Sequence, residues 1–355
     1  MVRRTGSRAA AWTGLVAVAA VLAGCAAPAK QAALADRAPA SPEEQATVEA
    51  TPTPQPSAWP LTGVPGDVDE RAAVSVKVEN SPQARPQTGL EDADVVWEEL
   101  VEGGATRFNA VFHSRLPDVV GPIRSLRPMD AGITGALGGV LVISGGQPRF
   151  LSEVRKAGIQ LVSDDDGDGG FFRSQERRSP HNLYGRPEDF LEQADARHDE
   201  PPPAQLLFAA SADDASAARL GSAATAVDLR FPATNPGWTW DPTAGLWLRD
   251  ERGVPATTTD GERLGAANVV VLRVRVVETG ALDPAGFPVP ETVMTGEGEA
   301  LVAGAGRTIR ATWSKSGTAE PLVLTDESGD HVRLAPGITW VELLPVHGSD
   351  LTVSR

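Results

Sequence analysis

Apolar positions along this chain change their spacing twice. Ala72–Val78 alternates well enough for a strand, and Glu79-Asn80-Ser81-Pro82 ends it; Pro82 and Pro86 keep the next stretch irregular. Two β-rich runs, Val95–Val101 and Thr106–Phe112, flank Gly103-Gly104 and predict a β-hairpin, with a helix over Ala93–Leu100 as the competing reading. Gly121–Pro128 is a turn by composition. A short helix over Met129–Leu137 follows, with Pro128 near its first position, then a buried-type strand over Gly139–Ser144. Gly145-Gly146 turns the chain into a helix over Pro148–Ala157; a strand at Ile159–Val162 and a helix at Pro187–Ala194 come next. Strands interleaved with helices predict an α/β domain over residues 59–210. From Leu229 the texture is short β runs between turn signals. Val269–Val277 is the strongest, followed by Thr308–Trp313, Leu322–Leu324, His331–Leu334 and Thr339–Leu344. Glycines such as Gly296, Gly298, Gly304 and Gly306 read as punctuation. Residues 211–355 are therefore expected to be all-β, and the chain α+β overall.

The beginning of the chain carries a different pattern. Arg3 and Arg4 precede an apolar run, Ala9–Val21, too short to span a bilayer comfortably, and Leu22-Ala23-Gly24-Cys25 resembles a bacterial lipobox. That resemblance implies a signal peptide over residues 1–24, cleavage after Gly24 and diacylation of Cys25, the sole cysteine of the chain. An ordinary secretory signal with a chance cysteine is the alternative. Residues 25–58, rich in Pro, Ala and Thr, cannot bury a core and are expected to be a disordered tether. The expected location is the outer face of the cytoplasmic membrane. A formal net charge of −15 and a pI near 4.8 argue against nucleic acid as a partner, since that role needs a basic footprint.

Several long motifs occur in order: WPLTGVP, VKVENSPQARPQTGLEDADVVWEELVEGGATRFNAVF, GPIRSLRP, ISGGQP and FFRSQERRSPHNLY, then TWSKSG and LAPGITWVELLP. Together they resemble the DUF3048, or YerB-like, family of bacterial lipoproteins, from about Trp59 to Pro345. The resemblance implies an N-terminal α/β domain and a C-terminal β domain. It implies no settled activity, so it carries over no catalytic residue.

Against this acidic background the arginines of the central stretch stand out. Arg107, Arg124, Arg127 and Arg149 supply guanidinium forks suited to phosphate or carboxylate, and Gly145-Gly146 would let an anion approach a helix N-terminus. Arg173, Arg177 and Arg178 could add to the same site, with His181 as a ligand or general base oriented by Asn182; the alternative is a loop whose His181-Asn182 pair closes a turn through backbone hydrogen bonds. The alternative is that the arginines pair with Glu98, Glu99 and Glu102 as structural salt bridges. His181 could move a proton and Ser125 could act as a nucleophile if His181 or His113 lies near, but no GxSxG or SxxK pattern accompanies Ser125. Asp164, Asp166 and Asp168 fit the first half of a calcium loop, whose twelfth position would be Gln175 rather than the usual Glu; a solvated acidic turn is the other reading. No dinucleotide, Walker or zinc pattern occurs, so no cofactor is expected. The C-terminal tryptophans read as β-sheet core rather than as a sugar-stacking face. The leading expectation is a membrane-anchored protein that binds an anionic envelope polymer or lipid head group. A hydrolase or phosphotransferase using the same cleft is the alternative, and a protein-binding scaffold the third. ADVVWEEL before GPIRSLRP is similar to the strand and Arg-turn of envelope phosphotransferases of the LytR-CpsA-Psr type.

Overall fold

The structure, a computed structural model, describes residues 57–355; the expected signal peptide, Cys25 and nearly all of the expected tether lie outside the described residues. Its first half runs β1 (Val74–Glu79), β2 (Val95–Leu100), β3 (Thr106–Phe112), α1 (Asp130–Thr134), β4 (Val140–Ile143), α2 (Pro148–Lys156), β5 (Gln160–Ser163), β6 (Phe171–Arg173), β7 (Leu183–Gly185) and α3 (Pro187–Leu191). Its second half begins with α4 (Ser216–Leu220), β8 (Ser222–Ala223), β9 (Ala226–Arg230), β10 (Pro236–Asp241), β11 (Leu246–Glu251), β12 (Val254–Pro255) and β13 (Gly265–Ala266). It continues with β14 (Asn268–Val274), β15 (Val276–Leu282), β16 (Pro288–Thr292), β17 (Gly296–Gly304), β18 (Arg307–Lys315), β19 (Val323–Thr325), β20 (Thr339–Pro345) and β21 (Asp350–Ser354).

Eleven strands share one sheet, ordered β19-β18-β17-β14-β20-β2-β3-β1-β4-β5, with β8 beside β18. Its join is β2 against β20, parallel, with Val95 opposite Thr339 and Glu98 opposite Glu342. Every residue of β2 and of β20 is buried, as strands with covered faces and two neighbours require. The protein is mostly β, and the described residues fall in one compact unit. The expected boundary near residue 210 does not divide this sheet: β20, near the C-terminal end, runs between β14 of its own half and β2 of the other.

A six-stranded sheet, ordered β12-β11-β10-β9-β21 with β13 beside β11, covers one face. Its Trp238 and Trp247 pack with Trp340 and Phe108 of the large sheet in a common core. The other face carries Trp97, Met129, Ile133, Trp313 and Leu343, and a smaller cluster in which Phe150 and Val154 of α2 lie on Leu141 and Ile143 of β4. These tryptophans are core residues. The Gly103-Gly104 hairpin forms as expected, so Ala93–Leu100 is not helical. Pro148 opens α2. Val269–Val277 is not one strand: it breaks at Arg275 into β14 and β15. His331–Leu334 makes only isolated bridges. Gly296–Gly304, read as turn punctuation, is the nine-residue strand β17. There Gly298 lies under the Trp313 indole, where a Cβ would come within 2.6 Å of Nε1, so the missing side chain makes room for tryptophan.

Charge is buried on both faces of the large sheet. Alternation along β2 sends Glu98 to one side and Glu99 to the other. On the tryptophan side Arg249 of β11 meets Glu98 at 2.6 Å, Glu251 at 2.6 Å and Glu342 at 2.9 Å. Its guanidinium also lies 4.6 Å from the Trp340 ring centroid. Burial alone would lower the Arg249 pKa, but the three carboxylates more than offset it and raise it. Burial and the facing Glu98 push the Glu342 carboxyl well up; burial would do the same to Glu98, but Arg249 holds it down. The two shifts favour the neutral form of Glu342 and the ionised form of Glu98. On the helix side Lys77 Nζ bonds Glu99 and, at 2.7 Å, Asp130, which also accepts from Asn109 at 3.1 Å. Burial, then Asp130, push the Glu99 carboxyl up to about 8 against the pull of Lys77.

Two outcomes follow from these networks. Arg249→Met leaves Glu98 and Glu251 buried without their main counter-charge, and should cost roughly 3–5 kcal/mol in urea unfolding; a loss under about 1 kcal/mol would contradict this account. The folded protein holds the Glu99 proton more tightly than the unfolded chain does, whose ordinary value is 4.5. This contribution is present at low pH and is lost as pH rises through that value towards about 8. Comparing Glu99→Gln with the parent at several pH values should therefore show the stability gap moving in the variant's favour over that window, by at most about 1.4 kcal/mol per pH unit. A gap that stays constant with pH would place Glu99 as an ordinary ionised partner of Lys77.

Candidate anion site

Strands β1, β4 and β5 run parallel and end on the same side of the sheet, at Glu79, Ile143 and Ser163. Antiparallel β3 begins there, so Glu79, Arg107 and Glu99 stand in one cross-strand row. The Gly121–Pro128 segment is pinned between β1 and β4. Arg124 N–H donates to Lys77 O at 2.8 Å, Ser144 N–H donates to Arg124 O at 3.0 Å, and Leu126 N–H donates to Gly145 O at 3.0 Å. This backbone clamp fixes where the arginines emerge.

Three guanidiniums gather at this edge. Arg124 lies 3.2 Å from Glu79 through both Nε and Nη2. Arg127 forms a two-pronged pair with Glu102 at 2.5 and 2.7 Å. Arg107 Nη1 donates to Ser125 O at 2.6 Å, and Arg127 Nη1 reaches the same carbonyl at 3.5 Å. Arg107 has no carboxylate within salt-bridge distance among the described residues. Burial, followed by the Arg127 and Arg124 charges, holds its pKa down to about 9. It remains a cation at neutral pH, so three guanidiniums face two carboxylates, with one positive charge in surplus. Arg107, Arg124, Ser125, Arg127, Ser144 and His181 are all partly exposed.

Glu79, which the sequence reading passed over, organises the site. Its Oε1 accepts from Ser81 Oγ at 2.7 Å and lies 2.8 Å from His181 Nδ1. The carboxylate thus orients the imidazole, as in acid–base dyads. The available signal was a single acid closing the apolar run VSVKVE. The alternative expectation of structural pairing holds for Arg127 with Glu102. Glu98 and Glu99, however, are engaged elsewhere, with Arg249 and Lys77.

Other expected members lie apart from the guanidinium cluster. Arg149 turns to Glu153 at 3.1 Å and to Thr279 O. Arg173 pairs with Asp164 at 2.9 Å, and Asn182 Nδ2 closes its own loop onto Ser174 O. Gly145 has a positive φ and a Cβ there would run into Asp165, whereas Gly146 sits only tightly against Leu126. The Ser125 hydroxyl bonds Ser144 at 3.1 Å rather than a histidine, and His113 is fully buried against Trp59. In the acidic loop Asp164 goes to Arg173, Asp166 to Arg155 and Asp168 to the Ser163 N–H, and among the described residues no cluster of three or more metal-binding side chains forms. Two cavities, about 350 and 910 Å³, open at other places: one beside Asn80, Gln87 and Glu251, the other between Glu91, Asp118, Arg177 and Tyr184.

Comparison with known proteins agrees with the motif order. Residues 61–200 match the N-terminal domain of DUF3048, a family described as proteins of unknown function, and residues 227–341 match its C-terminal domain. YerB of Bacillus subtilis strain 168, named as a lipoprotein, is 30% identical over 301 residues, which span 81% of this chain and 86% of YerB. The chain belongs to the DUF3048 family. The crystal structure of Bacillus subtilis YerB superposes on this DUF3048 chain with a TM-score of 0.71 at 25% identity, covering 83% of this chain and 99% of YerB as crystallised. The two family domains are matched as separate segments, yet in this DUF3048 chain their strands meet in one sheet at β2 and β20.

Proposed function

We propose that this DUF3048 protein is a lipid-anchored envelope protein that binds a phosphate-bearing polymer or lipid head group at the edge formed by Arg107, Arg124 and Arg127. The observation that carries the reading is Arg107: a partly buried guanidinium with only a carbonyl partner, beside two more guanidiniums, in a chain of net charge −15. The lipobox-like segment and the likeness to a protein named as a lipoprotein support the anchor. Binding of the full chain to vesicles containing phosphatidylglycerol and to polyphosphate is the test. Arg107→Gln should weaken it by at least about tenfold, since a charge-assisted pair is lost. Unchanged affinity would remove the reading.

A second reading rests on the Glu79–His181 pair, which presents an oriented imidazole beside the guanidiniums. It makes the edge a phosphodiester-cleaving site, with His181 moving the proton and the arginines stabilising charge in the transition state. Turnover of a bis-p-nitrophenyl phosphate probe that is lost in His181→Ala would favour it; absence of turnover in the parent protein discards it.

A further inference from the structure

The smaller cavity, about 350 Å³, lies where the two family domains meet. Pro82–Gln87 of the first half forms one wall and Val254–Thr257 of the second the other. A parallel bridge from Gln87 to Thr258 joins the two walls. The volume falls at the small end of the range for ligand pockets.

The electrostatics of this cavity differ from those of the arginine edge. Arg85 Nη2 lies 2.9 Å from Glu251 Oε2, and Arg249 beneath is matched by its carboxylates. No charge is left in surplus, so an ion gains little here. Hydrogen-bonding capacity does remain. Gln87 spends its Nε2 on Glu79 O and Asn80 Oδ1, both at 3.1 Å, which leaves its Oε1 to accept. Arg85 spends Nε and Nη2 on Asn80 Oδ1 and Asn80 O, which leaves Nη1 to donate. Glu251, only 8% exposed, has its Oε2 buried against Arg85 and is no acceptor for a ligand. Around them Pro82, Pro86, Val254 and Leu264 supply alkyl surface.

One acceptor, Gln87 Oε1, one donor, Arg85 Nη1, and alkyl walls without net charge are complementary to one chemical group. We propose that this cavity is a second binding site, distinct from the anion edge, for a neutral ligand carrying a secondary amide beside a small alkyl group. The amide N–H donates to Gln87 Oε1, its carbonyl accepts from Arg85, and the alkyl group rests on the prolines. An N-acetylated sugar and a short peptide both carry this chemistry.

Ligand-observed NMR on the full chain tests it, with N-acetylglucosamine in one arm, N-acetyl-alanine methylamide in the other, and glucose as the sugar without an amide. At least one amide probe should bind where glucose does not, and the arm that binds names the source. Gln87→Ala should weaken that binding by at least about tenfold. Because Gln87 is buried, Val254→Trp is the companion variant: Val254 is 64% exposed at the rim, so the indole should block entry without touching the core. The assignment is overturned if neither amide probe binds, if glucose binds as well as they do, or if Val254→Trp binds like the parent. It is overturned as a separate site if inorganic phosphate displaces the amide probe. Failure here leaves the vesicle and polyphosphate result untouched, so the two readings fall independently.

Discussion

Adjacent glutamates on one strand, Glu98 and Glu99, bind the molecule together through opposite faces of the sheet. A strand buried on both sides has no surface on which to leave a charge, so each carboxylate must find its cation inside the protein. Glu98 finds Arg249, contributed by the second half of the chain, and shares it with Glu342 on the neighbouring strand. Glu99 finds Lys77 on β1, with Asp130 of α1 as the other claimant. The first network ties the smaller sheet and the two family domains together; the second ties the sheet to its helix layer. Proton retention lets both exist: Glu342 and Glu99 are pushed towards their neutral forms, which leaves each cation closely matched rather than outnumbered.

The edge at the ends of β1 and β4 is the place where this balance is broken. Cross-strand register sets Arg107 between Glu79 and Glu99, but Glu99 has turned to Lys77 and Glu79 is taken by Arg124, Ser81 and His181. Arg107 is left with the Ser125 carbonyl. The surplus at the edge is thus a consequence of how charge is matched in the interior. The cavity near Glu251 shows the opposite outcome, with charge matched and hydrogen bonds left over.

What could be read from the sequence was local. Gly103-Gly104 between β-rich runs gives the hairpin, and Pro148 after a Gly-Gly turn gives the start of α2, because turn and helix-start chemistry reside in neighbouring residues. The arginines of the edge were visible by contrast with an acidic chain. Their partners were not: Glu79 is far from Arg124 in sequence, and no local pattern specifies that β20 will lie beside β2. The same limit hid Arg249, whose only trace is one cation in the strand LWLRDE. Charged residues inside buried strands, namely Lys77, Glu98, Glu99, Arg249 and Glu342, are the signal that would have pointed to the join. Gly298 misled in the other direction, since a glycine that admits a tryptophan looks the same as one that makes a turn.

The central claim is that one sheet makes the two family domains a single cooperative unit. Native-state hydrogen exchange of the full chain across a urea series tests it most directly. Amides of β1 and β2 and those of β14 and β20 should converge on one opening free energy as urea rises. If residues of the first half exchange through a separate, lower-energy opening while β14 and β20 stay protected, the join at Glu98, Arg249 and Glu342 does not hold the halves together, and the account is contradicted.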